Sequence, residues 1–234
     1  NITHLNPKAN YLYAQNENLK KLKTGQPIER REYNHDTGKF TSSKTINPKD
    51  FIFISGLHSF YLPKTRNISD LTIFLDTPDH LKYKWKIDRD SKERNYNPES
   101  VEKKIEERLE DYKNFISIQK NYADIVFSYN GKNAEPVNSI KVEIDSSLDV
   151  EDLLEKIKEV VPKTEWDYSE DLSKLLISLD EINISSEQSR KILLETVPNY
   201  DEILSQDYEL GENIEALVSL FVLKSMSYKM SEAI

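Results

Sequence analysis

From residue 51 onward the chain alternates short apolar runs with long polar ones. FIFIS, LTIFLD and ADIVFSY each end in turn or polar residues, and the stretches between them are highly charged. Apolar runs this short, bounded by turn chemistry, read as buried strands, and their near-continuous hydrophobicity is that of a parallel sheet covered on both faces. Residues 51–54 are too apolar for a surface strand, and Gly56 permits a sharp exit after them. Thr77 and Pro78 then predict an N-cap and first helical position, with the helix ending near Asn95; Asn97 and Pro98 predict a second start. In that second helix Val101, Ile105, Leu109, Tyr112 and Ile116 share one face. The order strand, helix, helix, strand predicts an α/β doubly wound sheet, whose ligands bind at the C-terminal strand ends.

The flanks are read the same way. Residues 10–23 predict a helix through Leu12, Leu19 and Leu22, closed by Gly25, and residues 30–45 a polar excursion with a short hairpin carrying Tyr33 and His35. Beyond residue 137, residues 139–144 and 174–179 read as strands, and 150–161, 185–197 and 212–230 as helices, which gives a small α+β unit. The last helix aligns Ile214, Leu217, Val218, Phe221 and Met226, a core stripe expected to pack on the sheet or on a second subunit. Trp166 and Tyr168, with Asp167, Glu170 and Asp171, read as an acidic aromatic patch on a solvated loop.

Charge divides the chain. Residues 1–134 carry 23 Lys and Arg against 18 Asp and Glu, whereas residues 135–234 carry 9 against 23. A mildly basic first part suits anionic small molecules; an acidic second part suits neither nucleic acid nor an anionic membrane. The boundary is placed in NGKNAEPV, giving domains 1–134 and 135–234. With 234 residues and no cysteine, the composition fits a soluble cytoplasmic protein without disulfides or thiolate chemistry, and the four histidines form no zinc spacing. The longest apolar stretch, 214–223, is interrupted by Glu215 and Ser219 and falls short of a membrane span.

The strongest chemical pattern is WKIDRDSKER, where Lys86, Arg89, Asp90 and Arg94 recur at three- and four-residue spacing and share one broad helix face. Such a face can grip phosphate, since phosphoryl transfer needs mostly positioning and charge neutralisation. It can equally be a solvated face braced by pairs from Lys86 to Asp90 and from Asp90 to Arg94. Together with THLNPKAN, LKTGQPIE, YNHDTG and the run order above, this segment makes roughly the first 130 residues resemble the phosphoribulokinase and uridine kinase family of P-loop small-molecule kinases.

The resemblance implies a P-loop-kinase-like parallel sheet with flanking helices, ATP and Mg2+ as cofactors, and a small-molecule phosphate acceptor such as a sugar phosphate or nucleoside. By resemblance, Lys86, Arg89 and Arg94 match positions that contact ATP phosphates and sugar phosphate, Asp90 matches an acidic active-site position, and Tyr33, His35 and His58 are substrate-side residues. The family's Walker A loop is not in this chain: its five glycines form no G-x-x-x-x-G-K-[ST]. The chain is therefore expected to be a fragment that lacks an N-terminal P-loop segment and shows no ATP-dependent turnover alone. Where most members have an acidic residue before GLH, this chain has Ser55, which offers magnesium a hydroxyl but no charge. That departure leaves a catalytically inactive binding or assembly module as the alternative function. A homodimer is a further expected assembly.

Overall fold

The computed structural model describes residues 2–34, 37–94, 97–129, 138–205 and 207–232, with residues 89–94 and 98 described by backbone alone. In chain order the elements begin with α1 (Leu12–Lys23), β1 (Ile28–Arg30), β2 (Tyr33–Asn34), β3 (Lys39–Phe40), β4 (Lys44–Ile46) and α2 (Pro63–Arg66). Next come β5 (Ile73–Asp76), α3 (Asp79–Arg94), α4 (Pro98–Glu106), α5 (Leu109–Asp111) and β6 (Ile125–Tyr129). The rest is β7 (Ile140–Asp145), α6 (Glu151–Val160), β8 (Thr164–Tyr168), β9 (Lys174–Leu179), α7 (Ser186–Thr196), α8 (Tyr200–Ile203) and α9 (Asn213–Glu232).

Two compact units divide the chain: residues 1–70 with 106–119, and residues 71–105 with 120–234. This division does not follow the expected boundary in NGKNAEPV, whose residues 130–137 lie outside the described residues; the strands before and after it belong to one sheet.

In the first unit, α1 stops where Gly25 takes a φ of +77°, which lets the Gln26 N–H reach back to the Lys21 carbonyl. The predicted excursion forms two antiparallel ribbons, β1 with β4 and β2 with β3. Residues 51–54 do not form the expected strand. An extended run becomes a strand only when a neighbour takes its backbone groups, and among the described residues none does; Phe53 is left 79% exposed. The face expected to run from Val101 to Ile116 also breaks. After α4 the chain passes through a turn into α5, a π-helical turn at Tyr112–Ile116 and a 3-10 turn at Ser117–Tyr122.

The second unit is built on a five-stranded sheet in the order β5-β6-β7-β9-β8. β5 and β6 are parallel, joined through α3 and α4 as expected, but every other pair is antiparallel. The sheet is therefore mixed rather than parallel, and the C-terminal strands extend it instead of making a separate one. The β8–β9 pair closes through a short return, as an antiparallel neighbour allows, whereas the parallel β5–β6 pair takes a long crossover. At the start of the parallel pair, Thr72 donates from its N–H and hydroxyl to the Asp124 carboxylate at 2.6 and 2.7 Å, and the Asp124 N–H returns a bond to the Thr72 hydroxyl at 3.0 Å.

β7 and β9 alternate strictly. Ile140, Val142 and Ile144 with Leu175, Ile177 and Leu179 face a core completed by Leu153, Leu154 and Ile157 of α6, Ile192 and Leu193 of α7, and Leu217, Leu220 and Phe221 of α9. The Phe221 ring lies 6.3 Å from that of Phe127 on β6, so the final helix packs on the sheet. α7 begins with a capping box between Ser185 and Gln188. The Trp166 and Tyr168 segment, expected as a loop, is edge strand β8: Thr164 is buried and Trp166 half-buried while Glu165 and Asp167 face water, a two-residue alternation.

Candidate functional site

In the second unit the parallel register pairs Asp76 with Ser128, so β5 and β6 end along the same edge of the sheet. α3 begins three residues after Asp76, which places the basic helix at that edge. Leu81 is buried, and Trp85, one turn on, packs edge-to-face against Tyr129 at the end of β6, 6.2 Å between centroids. This seat fixes the helix by its apolar side. Lys86 is half-buried on it. Arg89, Asp90 and Arg94 share the helix by backbone, while their side chains lie outside what the structure describes.

Beside them is a cluster that the sequence reading missed. The Lys120 ammonium donates to Asp76 at 3.2 Å and pairs with Glu143 of β7 at 3.1 Å, while Lys82 of α3 stands 4.0 Å from Asp76 and 3.5 Å from Asp79. Partial burial opposes the Lys120 charge, but the hydrogen bonds and charges of Glu143 and Asp76 outweigh it and hold its pKa above the ordinary lysine value. The network ties the first turn of α3 to β5 and β7. One signal was available, a carboxylate closing the apolar run LTIFLD at a C-terminal strand end; Lys120 and Glu143 become partners only once the antiparallel register of β6 and β7 is known.

In the first unit, Ser55 is exposed and Gly56 to His58 form a turn. The turn is pinned on two sides: the Gln119 amide donates to the Leu57 carbonyl at 2.8 Å, and the His58 ring meets the Leu5 carbonyl at 2.9 Å through Nε2. His58 is 8% exposed and packs edge-to-face on Tyr61, which packs in turn on Phe115. Burial lowers its pKa more than the Leu5 carbonyl raises it, so the ring is neutral with its proton on Nε2. In this conformation His58 holds the turn after residues 51–55.

Tyr33 stands on the β2–β3 ribbon, 49% exposed and edge-to-face with Phe40 at 5.4 Å. Gly38, with a φ of +66°, closes the ribbon's turn by donating its N–H to the Asn34 carbonyl. His35 lies outside the described residues. Among the described residues no group of three or more His, Asp or Glu is placed to hold a metal ion. Ser55 offers a magnesium ion a single neutral oxygen, and the described residues do not complete such a site.

The sequence model of the Phosphoribulokinase / Uridine kinase family matches residues 1–135. Among curated relatives, the chloroplastic phosphoribulokinase of Triticum aestivum is 41% identical over 125 residues, covering 53% of this chain and 31% of that protein. The phosphoribulokinase of a Synechocystis strain is 37% identical over 125 residues, covering 53% and 38%. The uridine kinase of Vibrio campbellii is 32% identical over 130 residues, covering 55% and 61%. The match thus spans about a third of the length of these phosphoribulokinases. The solved structure of a Rhodobacter spheroides phosphoribulokinase has a TM-score of 0.62 at 17% identity, covering 86% of this chain and 76% of that one. Its likeness is one of fold, and its coverage extends beyond the residues that the family model matches.

Proposed function

Because the chain belongs to the phosphoribulokinase and uridine kinase family, we propose that it forms part of an ATP-dependent kinase that transfers a γ-phosphoryl group to a hydroxyl of a sugar phosphate or nucleoside. The observation that carries this reading is the basic helix α3, seated by Leu81 and Trp85 where the parallel strands β5 and β6 end. A strand-end edge of this kind is where α/β sheets bind their ligands.

In the reaction, the acceptor oxygen bonds to the γ-phosphorus as the bond to the bridging oxygen of ADP breaks, and the acceptor's proton passes to a base. Negative charge spreads over the phosphoryl oxygens during transfer. Lys86, Arg89 and Arg94 are assigned to that charge, with Asp90 as the acidic active-site residue. Tyr33, His35 and His58 are assigned to the acceptor. For His58 this requires the turn to release its ring from the Leu5 carbonyl.

A phosphate-cradling glycine-rich loop is absent from the 234 residues, and the proposal takes it from polypeptide outside them. Magnesium would meet Ser55 and the nucleotide's own phosphates. Family membership favours this reading over an inactive binding or assembly module. No described helix is long and apolar enough to cross a membrane. Cytoplasm remains the proposed compartment, from the cysteine-free composition.

The test is Arg89→Ala in the complete enzyme. It should lower kcat/KM by about a hundredfold or more, at an unchanged melting temperature, because charge neutralisation in the transition state is lost. Wild-type kinetics in this variant would return α3 to a solvated, ion-paired face.

A further inference from the structure

On the second unit, away from the α3 edge of the sheet, a cleft of about 590 Å³ lies among the loop before α6, the connection from α7 into α8, and the C-terminal half of α9. Its volume is in the range of small-molecule sites. Asp149 and Glu202 line it from different parts of the chain, and Pro198, Tyr228 and Met230 supply apolar surface. Among the described residues Lys224 is the one basic residue lining it, and its charge is engaged: the ammonium donates to Asp152 at 2.7 Å and to the Thr196 carbonyl at 3.0 Å.

The local field is negative. The Tyr228 hydroxyl donates to Glu232 at 3.2 Å, and its pKa is raised first by that bond and the Glu232 charge, with Asp149 adding to the effect. Among the described residues, the Asn199 amide nitrogen has a 3.6 Å contact to the Met230 sulfur and its oxygen is buried without a partner. An N–H···S contact this weak costs little to give up, and a small turn of the amide would present its oxygen to an incoming donor.

These features select the ligand's chemistry. Two carboxylates lining one cleft repel phosphates and carboxylates. A bare metal ion would need several converging ligands, and no such group occurs among the described residues. An ammonium satisfies a carboxylate with charge-assisted bonds, and thioether and phenol surfaces accept methylene chains and cations. We propose that this cleft binds a linear aliphatic polyamine, with ammonium groups at Asp149 and Glu202 and the intervening methylenes on Tyr228, Met230 and Pro198. The acceptor and nucleotide chemistry proposed above uses none of these residues.

Spermidine is the probe, titrated calorimetrically into the protein at about 150 mM salt, where diffuse attraction to an acidic chain is largely screened. The expected result is saturable one-to-one binding, weakened about tenfold by Glu202→Gln and similarly by Asp149→Asn, each removing one charge-assisted contact. Glu187→Gln, an exposed acid at the opposite end of α7, should leave the affinity unchanged. Asp149 also accepts the Glu151 N–H at 3.3 Å, so Glu202→Gln alone decides the matter if Asp149→Asn loosens α6. Heat that never saturates, equal weakening by Glu187→Gln, or wild-type affinity in Glu202→Gln would each overturn the proposal.

Discussion

His58 has a defined place in the fold. The family resemblance gives it a substrate-side role, and in this conformation its ring is buried, neutral and held on the Leu5 carbonyl. Since folding favours the neutral ring, the unfolded chain takes up the proton first as pH falls. The stability this ring contributes is present above the ordinary imidazole pKa of about 6.5 and lost as pH drops through and below it. By NMR, the His58 ring should titrate below about 6.5, and the wild-type melting temperature should fall more between pH 7.5 and 5.5 than that of His58→Gln; a midpoint at or above the ordinary value would refute the assignment. At this scale the sequence was legible where a cap or turn sets the backbone, as at Gly25 and Ser185. It was opaque where a residue's meaning depends on a distant partner, as with Lys120 and Glu143.

Among elements, periodicity located most helices and strands because it reports burial directly, and α9 is the clearest case. Its expected stripe includes Phe221, fully buried against Phe127. Phe221→Asp removes the ring and strands a carboxylate in the core, a loss of about 4 kcal/mol or more. Urea unfolding should register that loss, with Phe221→Leu retaining most of the stability; an unchanged midpoint in Phe221→Asp would mean the helix does not close this core. Besides the helix face that breaks after α4, the reading failed at residues 51–54 and in TEWDY for opposite reasons. Residues 51–54 have the hydrophobicity of a buried strand but no neighbour to pair with among the described residues. The charge around Trp166 and Tyr168 reads as a solvated acidic aromatic loop, although β9 supplies the partner that makes TEWDY a strand.

For the whole molecule, the α/β class was readable because β5, the helical segment that follows it and β6 keep the strand, helix, strand order. The mixed sheet was not, since strand direction is set by connections and pairing rather than by composition. That arrangement carries a temporal consequence. β6 is the seam of the sheet, parallel to β5 and antiparallel to β7. Tyr168 pairs with Leu175 across a tight hairpin, whereas Ile73 must find Ile125 across α3, α4, α5 and some fifty residues of chain, a closure far costlier in entropy. Pulse-labelled hydrogen exchange during refolding should find the amides of β8 and β9 protected first and those of β5 last; simultaneous protection would count against this order. The edge that carries α3 would then be the last part of the sheet to be assembled, built onto antiparallel strands that are already in place.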